Sequence, residues 1–186
     1  MIAVLRQAPN ILSAIRLLLA PVAAWLILNG IDFPALMVFG IAGLSDALDG
    51  FLAKKFALTS RFGAWLDPAA DKLLMLASFV SLTYVGVVPL WLTALVIGRD
   101  IAIVIGVLLA RAFDMPLAVA PLMVGKVSTV VQVLYIAFML LVLALNAGWP
   151  HMQLGGNLAV AVLAVWSGLA YALIWVRAAA AGRRTV

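Results

Sequence analysis

The sequence predicts an all-α integral membrane protein with six transmembrane helices, both termini cytoplasmic and a short N-terminal interfacial segment. Three observations carry this reading. Of 186 residues, 67% are hydrophobic and only 10% charged, whereas a soluble domain is roughly half apolar and about a quarter charged. The apolar residues fall into six runs of spanning length, and Lys and Arg gather at alternate ends of those runs. A water-soluble monomer is excluded. A mean hydropathy of +1.24 with no long polar tract leaves no space for a separate soluble domain, so residues 1–186 read as a single membrane domain.

A spanning helix needs about 20 mostly apolar residues. The first run, about 11 to 29, ends at Asn29-Gly30. It contains Arg16 and no early Ala-x-Ala cleavage pattern, so it reads as a retained span and not a leader. Residues 1 to 9 are too short to span and are expected to lie along the interface. The second run, about 34 to 53, opens at Pro34, and the third covers about 63 to 86. The fourth, about 89 to 111, opens at Pro89; the fifth, about 125 to 146, follows Met115-Pro116 and Pro121. Gly148-Trp149-Pro150 separates it from the sixth, about 155 to 177.

Charge sets the orientation. With six spans, Arg6, Lys54, Lys55, Arg61, Arg111, Lys126, Arg177, Arg183 and Arg184 fall on one side. The opposite loops, about 29 to 34, 86 to 89 and 147 to 154, contain no Lys or Arg. The positive-inside rule makes the basic side cytoplasmic. The net charge of +5 therefore reads as topology, with no nucleic-acid partner implied. Trp91, Trp149 and Trp175 near span ends suit an interfacial belt. No cysteine and one histidine exclude thiolate and His-rich zinc sites, and His151 reads as a solvated loop residue.

All seven acidic residues are Asp, and Asp46, Asp49, Asp67 and Asp71 lie within 26 positions around one basic-side loop. Asp46 and Asp49 are three apart near the end of the second span; Asp67 and Asp71 are four apart near the start of the third. On helices each pair shares a face. The short connection predicts antiparallel neighbours on which the two pairs converge. Four unpaired carboxylates in a bilayer would cost on the order of ten kcal/mol, so positive charge belongs among them. Lys54, Lys55, Arg61 and Lys72 are near in sequence. An all-carboxylate set also suits magnesium, manganese or calcium. Ordinary interfacial ion pairs are the plainer alternative.

The full run reads Asp46-x2-Asp49-Gly50-x2-Ala53-Lys54-x8-Gly63-x3-Asp67-x3-Asp71. It resembles the signature of the CDP-alcohol phosphotransferase family, Asp-x2-Asp-Gly-x2-Ala-Arg, eight or nine residues, then Gly-x3-Asp-x3-Asp. Lys54 stands where the family has Arg. The six spans and the Pro9-Asn10 opening with Arg16 are also similar to the family. A missing side chain at Gly50 and Gly63 permits close approach of a ligand to the backbone, although small residues also serve helix packing. Ser60 can cap the third helix.

The resemblance implies an enzyme in which two divalent ions, Mg2+ or Mn2+, bind the pyrophosphate of CDP-diacylglycerol while an alcohol attacks the lipid-side phosphorus and releases CMP. It implies Asp46, Asp49, Asp67 and Asp71 as metal ligands, with Asp71 also the general base. Asp49, Gly50, Ala53, Lys54, Ser60 and Gly63 would bind the CDP-lipid. Arg16, Arg99 and Lys126 are charges in or near apolar spans, which makes them functional candidates. All three are expected to bind the acceptor, and a fork at Arg99 and a point charge at Lys126 suit its phosphate. Pairing of Arg99 with Asp100 is the plainer reading.

Pro9-Asn10-Ile11-Leu12-Ser13, Ala42-Gly43-Leu44-Ser45-Asp46 and Lys126-Val127-Ser128-Thr129 with Gln132 look most like the branch that uses phosphatidylglycerol to form cardiolipin. Glycerol 3-phosphate as acceptor, giving phosphatidylglycerophosphate, is the alternative. The resemblance also implies a homodimer in a bacterial inner (cytoplasmic) membrane, surrounded by membrane lipids, with the site on the cytoplasmic side. A small cation channel or transporter is the rival class. It expects acidic residues along the whole membrane path, whereas these four sit on one side.

Overall fold

In a computed structural model of the chain, six helices follow one another: α1 (Ile2–Leu28), α2 (Asp32–Phe56), α3 (Gly63–Tyr84), α4 (Leu90–Ala112), α5 (Met123–Ala144) and α6 (Pro150–Gly182). The structure describes the backbone of residues 2–56, 63–113, 122–148 and 150–182, and the side chains of 14–45, 69–113, 122–148 and 150–177. No strand occurs among the described residues. The helices follow the six predicted runs in order. The leading residues are not a separate segment, because α1 starts at Ile2 and continues through Pro9.

Among the described residues, three helices are long and apolar enough to cross a bilayer. Leu90–Ala112, Met123–Ala144 and Pro150–Arg177 have mean hydropathies of 2.2, 2.4 and 2.1. Shorter apolar helical stretches cover Ala14–Leu28 and Asp32–Ser45. A chain with such helices is a membrane protein.

The three loops without Lys or Arg begin with the same device. Gly30 after α1, Gly86 after α3 and Asn146 after α5 have φ of 67°, 80° and 51°. This left-handed turn lets the next amide reach back to the last helical carbonyls. Gly30 N–H donates to Ile27 O at 3.1 Å and Ile31 N–H to Leu26 O at 3.0 Å. Gly86 and Val87 do the same to Thr83 and Leu82, and Asn146 and Ala147 to Leu143 and Val142. Carbonyls that a bilayer would leave unsatisfied are thereby bonded within the chain. Pro89 starts α4 from an extended backbone, φ −67° and ψ 139°.

The chain forms two compact units, Met1–Val88 with Ile136–Trp149, and Pro89–Tyr135 with Pro150–Val186. In the first unit α1 packs against both α2 and α3. Arg16, Ala20, Ala23 and Ile27 form its buried stripe, spaced one helical turn apart. Ala35, Phe39 and Ala42 are buried on α2, and Ala70, Leu74, Ser78 and Phe79 on α3. Small residues at these positions let helix backbones approach closely. The stretch where the short connection would make α2 and α3 neighbours, residues 46–68, lies outside the described side chains. Among the described residues α1 is the shared packing partner of α2 and α3, and its buried stripe is rich in alanine. In the second unit α4 packs against α6.

Candidate functional site

Of the four signature aspartates, Asp71 alone has a described side chain. The helical backbone includes Asp46 and Asp49 near the end of α2 and Asp67 and Asp71 near the start of α3. Each pair therefore has the spacing that places two side-chain positions on one helical face. The side chains of Asp46, Asp49, Gly50, Ala53, Lys54, Gly63 and Asp67 lie outside the described residues, as does Ser60 entirely. Among the described residues no group of three or more metal-ligating side chains gathers.

Asp71 Oδ1 accepts a hydrogen bond from Arg16 NH1 of α1. The Arg16 side chain is 1% exposed and that of Asp71 40%. The stem of Arg16 thus lies in the α1 stripe while its head meets a carboxylate that keeps an open side. This partner was not foreseen. The lysines near the aspartates in sequence drew attention, whereas the cation that meets Asp71 comes from 55 residues away. One signal for it was present: Arg16 shares the one-turn spacing of Ala20, Ala23 and Ile27, which marks the buried face of α1. Lys72, next to Asp71, has an exposed side chain.

A second polar cluster lies in the other unit. The Arg99 side chain on α4 is 7% exposed. Its NH1 donates to Asp100 Oδ1 at 2.6 Å, and its NH2 donates to Ser167 Oγ on α6. The pairing with Asp100 that the sequence offered as the plainer reading is therefore present, with Ser167 beside it. Buried Nε of Arg99 meets no partner among the described residues. Gly125, at the start of α5, faces this cluster: a Cβ there would lie 3.3 Å from Arg99 NH2 and 3.3 Å from the Tyr171 hydroxyl. Lys126 follows it and has an exposed side chain. Ser167 and Tyr171 were not singled out in the sequence. Their one-turn spacing on an otherwise apolar helix is the signal that marks them.

Arg16 with Asp71 is thus a cation held against a carboxylate that stays accessible. Arg99 with Ser167 is a buried guanidinium whose donors are only partly used. The first arrangement can orient a base or a metal ligand, and the second can receive an anionic oxygen.

The profile of the family described as CDP-alcohol phosphatidyltransferase matches residues 6–181. The chain is 40% identical over 145 residues to a protein of Rattus norvegicus named cardiolipin synthase (CMP-forming), covering 69% of this chain and 48% of that protein. It is 38% identical over 149 residues to the protein of that name in Streptomyces coelicolor, covering 76% of this chain and 67% of the relative. A Bacillus subtilis protein named CDP-diacylglycerol–glycerol-3-phosphate 3-phosphatidyltransferase is 31% identical over 149 residues, covering 72% of this chain and 76% of the relative. The chain spans about half the length of the mammalian relatives it matches. With the profile running through both compact units and nearly every residue of the signature in place, the chain belongs to the CDP-alcohol phosphatidyltransferase family.

Proposed function

We propose that the protein transfers a phosphatidyl group from CDP-diacylglycerol to the hydroxyl of phosphatidylglycerol, forming cardiolipin and releasing CMP. The observation that carries this choice of acceptor is the identity to proteins named cardiolipin synthase, 40% and 38%. Identity to the named glycerol-3-phosphate enzymes is 34% and 31%. Those matches keep glycerol 3-phosphate as the second reading. Family membership favours a transferase over an ion channel. We treat residues 1–186 as one functional domain because the family match runs through both units.

In the proposed reaction the acceptor's hydroxyl oxygen bonds to the lipid-side phosphorus. The bond from that phosphorus to the bridging oxygen of the pyrophosphate breaks, and CMP leaves with its phosphate. The hydroxyl proton passes to the Asp71 carboxylate, which must be ionised and within hydrogen-bond reach to take it. Arg16 donates a hydrogen bond to Asp71 Oδ1 and so fixes the direction of that oxygen. The open side of Asp71 leaves the rest of the carboxylate for ligand or metal.

Family members generally depend on a divalent metal. The donor chemistry fits: four Asp at helical spacings, with no cysteine in the chain, are hard oxygen ligands for Mg2+ or Mn2+. Asp46, Asp49, Asp67 and Asp71 would hold two such ions, whose charge would offset most of that of the pyrophosphate and the four carboxylates. Such ions, when bound, neutralise the pyrophosphate and stabilise the leaving group. Asp49, Gly50, Ala53, Lys54, Ser60 and Gly63 are proposed to bind the CDP-lipid. Arg99 and Lys126 are proposed to bind the acceptor's phosphate, and Arg16 is proposed to act on the acceptor's hydroxyl by orienting Asp71. The distribution of Lys and Arg supports a site on the cytoplasmic face, and the bacterial inner membrane and the homodimer are proposed from family resemblance alone.

The test is direct. Purified protein in detergent micelles is given CDP-diacylglycerol, Mg2+ or Mn2+, and either acceptor, and the lipid product is identified by mass spectrometry. Cardiolipin is expected from phosphatidylglycerol, with CMP release abolished by excess chelator. Phosphatidylglycerophosphate alone would select the second reading, and undiminished CMP release in chelator would remove the metal from it.

A further inference from the structure

One face of α6 meets both the Arg99 side chain and the backbone turn that leads into Lys126. Ser167, with no exposed surface, accepts a hydrogen bond from Arg99 NH2. Gly168 beside it lies against the arginine stem, where a Cβ would be in ordinary contact at 3.8 Å with Arg99 Cγ. One turn further along α6, the Tyr171 hydroxyl accepts a hydrogen bond from Leu122 N–H at 3.2 Å. Leu122 immediately precedes α5, where backbone N–H groups have no intrahelical acceptor. The carbonyl of Leu122 in turn accepts the N–H of Lys126 at 3.2 Å. Tyr171 therefore anchors the turn that carries Lys126. The bare backbone of Gly125 lets the Arg99 head and the Tyr171 hydroxyl approach the same point.

A buried guanidinium with an N–H left over is costly unless an anion completes it. Asp100 balances the charge of Arg99 through NH1, while Nε, among the described residues, stays without a partner. The arrangement is that of a cation aimed in advance at an anionic oxygen, and preorganisation of this kind lowers the ordering cost of binding.

We propose that Ser167 and Tyr171 are positioning residues that fix Arg99 and Lys126 for the phosphate of the acceptor alcohol. The inference rests on the assignment of Arg99 and Lys126 to that phosphate. It concerns a chemistry shared by the phosphodiester of phosphatidylglycerol and the monoester of glycerol 3-phosphate, so both acceptors are used as separate arms of the test.

Steady-state kinetics are measured for Ser167→Ala, Tyr171→Phe, Arg99→Ala, Lys126→Ala and the doubles Ser167→Ala/Arg99→Ala and Tyr171→Phe/Lys126→Ala. Each α6 variant is expected to raise the acceptor KM about three- to tenfold, the scale of one hydrogen bond to a charged or helix-end group. The KM for CDP-diacylglycerol should stay as in the wild type, and each double should add little to its charge-removing single. The acceptor whose KM moves identifies which phosphate is held. A rise of both KM values together, or a full multiplicative effect in the doubles, indicates general structural damage and overturns the proposal. If Arg99→Ala raises the acceptor KM and neither α6 variant does, the proposal fails while the assignment of Arg99 survives. If Arg99→Ala leaves that KM unchanged, both fall. Should Ser167→Ala not fold, Tyr171→Phe decides alone, because it removes only a hydroxyl from a half-buried ring.

Discussion

Replacing Arg16 by Met retains most of the apolar stem in the α1 stripe and removes the cation that meets Asp71. A hydrogen bond to a charged group contributes about 1.5–3 kcal/mol. Arg16 is 1% exposed but Asp71 is 40% exposed, so solvent relieves part of the loss, which places the coupling near the lower figure, about 1.5 kcal/mol. For a chain of this size such a change lowers an apparent melting temperature by roughly 3–6 °C. The assay is a double-mutant cycle of wild type, Arg16→Met, Asp71→Ala and the double, followed by thermal unfolding in one detergent. The double should be less destabilised than the sum of the singles by about 1.5 kcal/mol. Arg16→Lys, a point charge without the planar fork, should recover part of the coupling. Sums that agree within about 0.5 kcal/mol would refute a direct Arg16–Asp71 interaction and with it the role given to α1.

Asp71→Asn keeps the shape and one oxygen but removes the proton acceptor, so turnover should fall about 10²–10⁴-fold while CDP-lipid affinity is largely kept. A loss of affinity in proportion to rate would make Asp71 chiefly a metal ligand. Lys54→Ala should raise the KM for CDP-diacylglycerol more than the acceptor KM, since a point charge at Lys54 replaces the family's fork; an effect on the acceptor side alone would reassign it. Gly106→Ala would drive a methyl group into the indole of Trp175, which covers the bare backbone there. Overpacking of this kind costs about 1–3 kcal/mol, and a lower melting temperature with unchanged KM values is expected.

The order and extent of the helices were legible in one dimension. Apolar length, Asn29-Gly30, Pro89 and the change of charge between loops mark where the chain turns, and the left-handed residues at Gly30 and Gly86 do what glycine at a helix end allows. The signature spacing from Asp46 to Asp71 was likewise open to reading, because a helix converts separation into a shared face without reference to any other element. The partners of the lone charges required the tertiary structure. Arg16 meets Asp71 across 55 residues and Arg99 meets Ser167 across 68, and α1 packs against both α2 and α3 among the described residues. Hydropathy says that a helix lies in lipid but not which helix it lies against, since lipid is as apolar as leucine; the choice falls to small-residue fit and interhelical hydrogen bonds, which exist only once the helices have been brought together.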